Sequence, residues 1–417
     1  MIDSLNKIFA SKEETVNKWL ENKAAGLKIP FYSSADIRDS GYKAACIDLN
    51  LFPAGFNNLC EKFSDEAIDS IKKVIQLKFN GIPHKNVLIV PEAHSRNKFY
   101  NAHLLSLRGI LEKVGLSVTI ASMDPENKNH LLETFDGNLL KTVPFIRKNN
   151  LLVDQNDNPF DWILLNNDLS DGEINQLDGL DQPVLPPICF GWHKRRKSYF
   201  FKSYNNLINE LADEFGFDSW LLSAITDLET DVDFNTVNGR EKVASAVDQV
   251  LQSVKKKYDE YGIKDSPGVF IKNDSGTYGM GIMVVKSPDE ILNMNRKARN
   301  KMAVGKGKQP INNVIVQEAV PTKNIMDNFV SEPVVYLIGT QIIGTFLRAN
   351  SERGANDNLN ARGMSFYRYC TLNPVDFPSE CVCNSDSQII YRMLGKISAI
   401  AAAKETDFMN KPCVAEV

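Results

Sequence analysis

The sequence predicts an α/β protein, because short apolar runs of strand type alternate with longer runs of helical period. Two β-branched runs, at 269–271 and 282–285, are bounded by glycines and predict a pair of strands. A third apolar run, at 87–90, leads through a polar loop into a helical stretch at 102–114. A strand that runs into a polar loop and a helix start is typical of doubly wound sheets, which bind ligands at that edge.

Composition narrows the class of protein. The chain has 417 residues, enough for two or three domains with substantial cores. Hydrophobic content is 43% and charged content is 24%, which is ordinary for a soluble globular protein. A formal net charge of −4 argues against nucleic acid as a partner, since nucleic-acid-binding faces are basic. The apolar runs fall short of the ~20 residues that a membrane-spanning helix needs, so no membrane partner is expected.

The expected compartment is the cytoplasm. The first residues, MIDSLNKIFASKEE, include acids and lack the apolar stretch of a secretory signal. Seven cysteines, an odd number without regular spacing, predict reduced thiols. The sequence leaves the oligomeric state open, a homo-oligomer included.

Residues 1–85 are expected to form an N-terminal helix and a strand with metal- or substrate-binding groups. Residues 1–27 have one apolar helical face. A strand at 44–49 places Asp48 and Asn50 two positions apart, and therefore on one side of a sheet. A carboxylate and an amide oxygen are suitable ligands for Mg²⁺. The alternative interpretation is that both residues mark only a strand end and a turn.

Residues 86–190 are expected to form a Rossmann-like substrate domain, and one mixed sheet is expected to cover about 30–190. Further strands are predicted at 116–121 and 162–165. The polar groups that follow the run at 87–90 are Arg96, Asn97 and Asn101. Capping of the next helix would explain Asn97 alone, but not the whole group.

A basic cluster at 191–197 begins the third predicted domain, residues 191–417. Its candidate anion-binding side chains are Arg195, Arg196 and Lys197. The cluster lies between an apolar run and an amphipathic stretch, which favours a cleft-facing strand end that meets anionic substrates or phosphate. A solvated charged face is the alternative interpretation.

The glycine loop, residues 275–281, separates the two strands of the predicted pair. Gly276, Gly279 and Gly281 let backbone N–H groups approach an anion closely. Lys272 leaves the first strand just before this loop, where its ammonium can meet the same anion. Because the loop joins two strands, it is neither a Walker A loop nor a Rossmann fingerprint, each of which opens a helix. A plain glycine hairpin with an exposed lysine is the alternative.

The chain beyond this loop is predicted to continue as a helix and a strand. A helix over 287–299 begins with Ser and Pro and has acids in its first turn. A strand at 314–320 carries the polar pair Gln317 and Glu318.

A predicted hairpin follows, with strands at 333–338 and 341–348. Its second strand ends in Arg348. The polar loop after it, DNLNARG, carries Asn358 and Asn360, which suit phosphate and Mg²⁺ better than a core.

The order of these motifs resembles the ATP-grasp ligases: a lysine strand, a glycine loop, a strand with a terminal acid, an arginine strand and an asparagine-rich loop. The resemblance implies that ATP lies in a cleft between two sheets. A second phosphate-binding lysine is expected before Lys272 in the chain, and either Lys197 or Lys202 could have this role. The implied cofactor-binding residues are Lys197, Lys272, Ser275, Gly276, Thr277, Tyr278, Gly279, Gly281, Gln317 and Glu318.

Several segments resemble the eukaryotic type of glutathione synthetase, an ATP-grasp enzyme whose element order is circularly permuted. ADIRD and IDLN stand where that family has substrate and metal groups, and RNKFYN is similar to its RNxFDQ motif. LRAN is similar to its LRTK strand end, with the arginine matched and the lysine absent. The implied metal ligands are Asp48, Asn50 and Asp274. The substrate positions are Arg38, Arg96, Asn97, Asn101, Arg195, Arg196, Asn358 and Asn360.

A closer resemblance, over nearly the whole chain, is to a small proteobacterial family of glutamate–cysteine ligases. It rests on IDLNLFPAGFNNL, PEAHSRN, GWHKRRKS, DSGTYGMGIM, EPVVY and NLNARG. It implies that ATP, L-glutamate and L-cysteine give γ-glutamylcysteine, ADP and phosphate through an acyl phosphate, with ATP and Mg²⁺ as cofactors. Arg348 and Lys272 are then the expected catalytic side chains.

Two alternatives stay open. The first is another ATP-grasp carboxylate–amine ligase, glutathione synthetase included. The second is a nucleotide-binding regulatory protein that has lost turnover. Retention of Lys272, the glycine loop and Arg348 argues against the second, because a degenerate site usually loses its charged groups first.

Overall fold

A computed structural model describes residues 1–59, 63–79, 84–93, 96–123, 130–276, 281–304, 310–370, 382–383 and 388–409. These residues form an α/β protein, as the sequence predicts, with helices packed on three main sheets. None of the helices in these ranges has the combination of length and apolarity that crossing a membrane requires.

The described strands and helices alternate along most of the chain. In chain order, the strands are β1 (Tyr32–Asp39), β2 (Ala44–Asn50), β3 (Asn86–Pro91), β4 (Ser117–Ile120), β5 (His130–Glu133), β6 (Leu139–Thr142), β7 (Ile146–Lys148), β8 (Leu151–Val153), β9 (Trp162–Asn166), β10 (Val184–Leu185), β11 (Thr226–Glu229), β12 (Val269–Asn273), β13 (Ile282–Val285), β14 (Val314–Glu318), β15 (Ile325–Met326), β16 (Phe329–Ile338), β17 (Gln341–Asn350), β18 (Met364–Cys370) and β19 (Val382–Cys383). The α-helices are α1 (Ile2–Ser11), α2 (Glu13–Ala24), α3 (Phe63–Lys78), α4 (Lys98–Lys113), α5 (Lys197–Phe215), α6 (Val237–Tyr261), α7 (Asp289–Leu292), α8 (Arg296–Ala303) and α9 (Gln388–Lys404).

The central sheet joins strands from the two ends of the chain. Its order is β19–β18–β17–β16–β1–β2, with β15 paired to β16. Strand β1 is antiparallel to both β2 and β16. The expectation of one mixed sheet over 30–190 is therefore wrong, because β1 pairs with β16 while β3 already has β4 and β9 at its two edges. The domain limits at 85 and 190 stay a prediction.

The second sheet is parallel, in the order β10–β9–β3–β4. All of β9 is buried, which fits a parallel strand covered on both faces. Helix α4 connects β3 to β4, as the doubly wound pattern predicts. It begins at Lys98 rather than at 102 because Asn97 caps it, accepting hydrogen bonds from the backbone N–H groups of Phe99 at 3.1 Å and Tyr100 at 3.2 Å.

The third sheet is antiparallel, in the order β11–β14–β12–β13. Its β12–β13 pair confirms the strands predicted on either side of the glycine loop. The helix expected over 287–299 is instead two short helices, α7 and α8. Asn295 caps the second of them by accepting a hydrogen bond from the N–H of Ala298 at 2.9 Å.

Helices α1, α2 and α5 pack around α9, which lies against the central sheet. Gly395 permits this approach, since a Cβ there would lie 2.9 Å from Cγ1 of Val335. The single helix expected over 1–27 is divided at Lys12, whose ψ of 25° lies outside the helical range.

The described cysteines differ in state. Cys46 is a free, buried thiol on β2, whereas Cys189 is disulfide-bonded. The expectation of reduced thiols is therefore wrong for Cys189. A cytoplasmic location stays a prediction.

Arg195 joins three elements near the middle of the molecule. Its Nε and Nη2 donate to the two carboxylate oxygens of Glu405, at 2.8 and 2.7 Å. Its Nη1 donates to the carbonyl oxygen of Leu49 at 2.7 Å. Because all of these groups are buried, the pair connects the residues just before α5, the turn that follows α9, and β2.

The Arg195–Glu405 pair should be important for stability. Glu405→Ala leaves the guanidinium of Arg195 buried without its partner, and we expect a loss of about 3–5 kcal/mol in unfolding free energy. The measurement is the thermal midpoint followed by circular dichroism. Glu13→Ala is the matched control, since it removes an exposed pair with Arg392 and should cost at most about 1 kcal/mol. Equal, small shifts in both variants would contradict this role.

Candidate active site

A cavity lies where the central sheet meets the third sheet. Strands β1, β2, β16 and β17 line one side of it, and β12 lines another. Its lining residues are Asp36, Arg38, Ile47, Asp48, Lys197, Phe270, Lys272, Asn273, Gly276, Ile282, Glu332, Arg348, Asn358 and Asn360. The sequence predicted the following as site residues: Arg38, Asp48, Lys197, Lys272, Gly276, Arg348, Asn358 and Asn360.

The period of two in β-strands brings the charged side chains to one face. Asp36 and Arg38 are two positions apart in β1, and Asp36 lies directly opposite Asp48 of β2. In the ladder between β16 and β17, Glu332 lies directly opposite Arg348. Directly opposed residues share a face, with Cβ atoms about 4.5–5.5 Å apart. The pairing of β1 with β16 therefore collects charges from both ends of the chain.

Glu332 is a buried carboxylate held between two arginines. Its Oε1 accepts hydrogen bonds from Nε and Nη2 of Arg348, at 2.9 and 2.6 Å, and its Oε2 accepts one from Nε of Arg38. Arg348 also donates to Asp36. Burial opposes ionisation of Glu332, but the two arginines outweigh it and lower its pKa. Burial raises the pKa of Asp36; Arg348 acts against this effect, while Glu332 and Asp48 add to it.

Lys272 points into the cavity from β12 and is buried. Its Nζ donates to the carbonyl oxygen of Ile47 at 2.9 Å and to Oε1 of Gln317 at 2.8 Å. Burial lowers the pKa of Lys272 to about 8, although Asp48 acts in the opposite direction. Lys272 and Asp48, which the sequence placed in distant segments, thus meet in one site.

Lys197 is the second lysine of the cavity. It stands in the first turn of α5, is buried, and donates to Asp48. Its Nζ also lies 4.6 Å from the ring centroid of Trp192. Burial would raise the pKa of Asp48, but Lys197 and then Lys272 outweigh it and lower the pKa. Lys202, the other candidate, lies over the ring of Phe408 at 4.3 Å and does not line the cavity.

The charges of the cavity do not balance. The cations are Arg38, Arg348, Lys197 and Lys272, and the carboxylates are Asp36, Asp48 and Glu332. Among the described residues that line the cavity, one positive charge is in excess when all are ionised, and protonation of Asp36 would increase that excess. Such a cavity suits polyanions and carboxylates.

The described part of the glycine loop begins and ends beside Asn273. Oδ1 of Asn273 accepts a hydrogen bond from the N–H of Ser275 at 3.1 Å. Gly281 has a φ of 63°, and a Cβ there would lie 2.6 Å from Cδ1 of Ile311. Glycine is therefore required at this end of the loop. The predicted phosphate contacts of Thr277, Tyr278 and Gly279 lie outside the described residues.

Of the three predicted metal ligands, Asp48 lines the cavity, whereas Asn50 and Asp274 accept hydrogen bonds from other groups of the protein. Oδ1 of Asn50 accepts from the N–H of Phe52 at 2.9 Å, as in a turn. Asp274 is buried and accepts from the N–H and the hydroxyl of Ser198, at 2.8 and 3.1 Å. Burial also raises the pKa of Asp274. Neither residue is among those that line the cavity with Asp48, and the three predicted metal ligands stay a prediction.

Glu318 has a partner inside the protein. Its Oε2 accepts a hydrogen bond from Nζ of Lys43 at 2.7 Å, and its Oε1 accepts from Nε1 of Trp220 at 3.1 Å. Both charged side chains are fully buried. Burial lowers the pKa of Lys43 to about 8, with Glu318 acting against it. Glu318 is a component of this buried pair, whereas Gln317 is in direct contact with Lys272.

Three further predicted substrate residues are held by the protein itself, outside the cavity. Arg195 pairs with Glu405, and Arg196 donates to the carbonyl oxygen of Arg195 at 2.8 Å. The side chain of Asn101 donates to the carbonyl oxygen of Glu133 at 2.8 Å.

A second cleft lies beside the cavity, and Arg96 and Asn97 line it. Asn97 is also the cap of α4, so the alternative interpretation of this residue is confirmed. The lining residues of the second cleft are Ala54, Gly55, Asn57, Asn58, Ala93, Arg96, Asn97, Phe99, Tyr100, His103, Phe346, Met364 and Phe366.

Sequence reasoning missed Asp36 and Glu332 as site residues. The period of two could have indicated Asp36, because it stands two positions before Arg38 in a strand. Glu332 opens the EPVVY segment. Its partners are set by strand register, which the sequence alone does not reveal.

Comparisons with known proteins identify the family. The family model described as glutamate-cysteine ligase matches residues 6–406. A crystal structure of a candidate gamma-glutamylcysteine synthetase from Methylobacillus flagellatus KT is 36% identical, covers 97% of this chain and 96% of that chain, and has a TM-score of 0.87. No curated protein sequence matches the chain.

Two more distant structures were also found. D-alanyl-alanine synthetase A from Vibrio cholerae O1 biovar eltor str. N16961 is 14% identical, with 61% and 67% of the two chains covered and a TM-score of 0.28. A glutathione synthetase-like effector from Globodera pallida is 10% identical, with 84% and 82% covered and a TM-score of 0.38. These two likenesses are too weak to bear on the assignment. The family model and the structure from Methylobacillus flagellatus show that the chain belongs to the glutamate–cysteine ligase family.

Proposed function

We propose that this chain uses ATP to join the γ-carboxylate of L-glutamate to the amino group of L-cysteine. Family membership supports the reaction and its two amino acids. The observation that supports the location of the site is the convergence of four cations on one cavity. Phosphates and carboxylates are the groups that such a cavity would hold.

The reaction proceeds in two steps that need no nucleophilic protein residue. A carboxylate is a poor acyl donor, so one of its oxygens first attacks the γ-phosphorus of ATP, and ADP leaves. The amine nitrogen then attacks the carbonyl carbon of the acyl phosphate. The C–O bond breaks, and phosphate departs with its electron pair and takes up the proton that the amine loses. Both steps depend on positioning and charge neutralisation.

The lysines and arginines divide these tasks by position. Lys272 and Lys197 would hold phosphates, because both are buried ammonium groups beside Asp48. Arg348 and Arg38 would meet the acyl phosphate or a carboxylate of glutamate. Glu332 fixes both guanidinium groups, so it is a positioning residue. Asn358 and Asn360 add amide groups at the cavity wall.

Mg²⁺ fits the pair Asp36 and Asp48 better than the set predicted from sequence. Asp36 and Asp48 lie directly opposite each other in a ladder and both line the cavity, whereas Asn50 and Asp274 do not. Carboxylate oxygens are the ligands that Mg²⁺ takes when it accompanies substrate phosphates. When bound, Mg²⁺ would neutralise charge on the ATP phosphates. The substrates are small molecules, and homo-oligomer formation is left open.

ADP release with different amino acids tests the proposal. Glutamate with cysteine should support ADP release, and mass spectrometry should show γ-glutamylcysteine. Release that requires γ-glutamylcysteine and glycine would instead indicate glutathione synthetase. If ATP bound without turnover for any amino acid pair, a regulatory protein would be the better interpretation.

Lys272→Ala should weaken ATP use. The change removes a charge-assisted phosphate contact, and we expect kcat/KM for ATP to fall by about 10- to 100-fold, equivalent to about 1.5–3 kcal/mol. Lys202→Ala is the control, since Lys202 lies over Phe408 outside the cavity. Steady-state ADP release measures both variants. Equal effects of the two substitutions would contradict the assignment of Lys272 to phosphate binding.

Deprotonation of Lys272 should cause the loss of activity on the alkaline limb of the pH profile of kcat/KM for ATP. Its lowered pKa of about 8 means that the ammonium is present below that pH and is lost as the pH rises through it. We therefore expect kcat/KM for ATP to decline above about pH 8. Lys272→Arg keeps its charge at high pH and should move this limb upward. An unchanged limb in Lys272→Arg would assign it to another group, such as Lys43.

The metal requirement should distinguish the two sets of acids. Asp36→Asn and Asp48→Asn each remove a charge beside the proposed Mg²⁺, and should raise the half-saturating Mg²⁺ concentration about 10-fold or more. Asp274→Asn should leave that concentration unchanged, because Asp274 accepts hydrogen bonds from Ser198 outside the cavity. Mg²⁺ titrations of ADP release provide the measurement. A larger shift for Asp274→Asn would favour the ligands predicted from the sequence.

A further inference from the structure

The second cleft and the charged cavity share one face of the central sheet. Phe346 stands two positions before Arg348 in β17, and Phe366 of β18 lies directly opposite Arg348. The rings of Phe346 and Phe366 are in contact, with centroids 5.3 Å apart. A molecule in the second cleft would therefore lie next to the arginine that we assign to the acyl phosphate.

Aromatic rings and a methionine form one part of the wall of the second cleft, and the rest includes asparagines, Arg96 and His103. Phe99 is 67% exposed, Met364 is 45% exposed and Phe366 is 41% exposed. Aromatic rings with a methionine make a surface that favours sulfur and small apolar groups. Such a wall is well suited to a thiol-bearing side chain and poorly suited to a phosphate.

The charge of the second cleft differs from that of the cavity. Arg96 is the one charged side chain among the described residues that line it, and no carboxylate lines it there. His103 is buried, and burial lowers its pKa to about 4, so the ring is neutral at neutral pH. A carboxylate would find a charged partner in Arg96, whereas none of the described residues that line the cleft offers a charged partner to an ammonium. That environment favours the neutral amine, which is the form that attacks a carbonyl carbon.

We propose that the second cleft binds the acceptor amino acid, with its aromatic wall around the thiol-bearing side chain and Arg96 on its α-carboxylate. This inference rests on the proposed function, since it takes the charged cavity as the place where the acyl phosphate forms. An acceptor held in this way presents its amine toward Arg348 across the β17–β18 pair. Phe366 and Arg96 then determine which acceptor is used, and neither takes part in phosphoryl transfer.

Analogues of cysteine that lack either the carboxylate or the thiol test this assignment of the second cleft. Arg96→Ala should raise the KM for cysteine about 10- to 100-fold, because one charge-assisted contact is lost. The same substitution should have little effect with cysteamine, which has no carboxylate. Phe366→Ala should reduce the preference for cysteine and 2-aminobutyrate over serine. Arg108→Ala, on the outer face of the same helix α4, is the control and should behave as the wild type.

Trapping with hydroxylamine separates this inference from the proposed function. Wild-type enzyme with ATP, glutamate and hydroxylamine should give the hydroxamate without cysteine; its absence would contradict the acyl phosphate itself. If the variants make hydroxamate but lose cysteine transfer, the acceptor site is supported. A rise in the KM for glutamate, or an equal loss with cysteine and cysteamine in Arg96→Ala, would overturn it. Both positions are exposed and should tolerate substitution. Thermal midpoints close to that of the wild type would exclude misfolding of the variants.

Discussion

The ladder between β1 and β16 is the constraint on which the rest of the site depends. It brings Arg38 within hydrogen-bonding distance of Glu332, a residue 294 positions away in the chain. Glu332 in turn fixes Arg348, which reaches back to Asp36. Taking four charges out of water is costly unless each has a partner. The register of this one ladder supplies those partners, and in doing so it holds two guanidinium groups in fixed positions.

The two sides of the active face separate two kinds of chemistry. In the described part of the chain, the residues that line the cavity carry an excess of cations, which suits phosphoryl transfer, and those that line the second cleft include aromatic rings and one arginine. The boundary between them is the β17–β18 pair, where Arg348 lies opposite Phe366. A ligase of this type must activate one carboxylate and admit one amine. In the arrangement that we propose, the two requirements fall on adjacent strands, and the amine is kept away from the ammonium groups assigned to phosphate.

The sequence predicted those features that depend on local pattern. The lysine before the glycine loop, the alternation around Asp48 and the arginine at a strand end all follow from short-range periodicity and motif order, and the structure places them in one cavity. Strand register between remote segments is not encoded locally, so Asp36 and Glu332 were missed and one mixed sheet was wrongly expected over 30–190. Residue type also does not reveal whether a charge faces a ligand or a buried partner. Arg195, Glu318 and Asp274 each have a partner inside the protein, and their assignment as site residues stays a prediction.

The pairing of β1 with β16 also has a consequence for how the protein reaches its native state. On a ribosome, β1 emerges early, but its second edge has no neighbour until β16 has been synthesised almost 300 positions later. Closure of so long a loop costs conformational entropy before any contact is gained, so contacts of this range form late and slowly. The parallel sheet and helix α4 are formed by the part of the chain between β1 and β16, and they can assemble first. The active face should thus be among the last parts to form, and catalytic competence would mark the end of folding rather than its beginning.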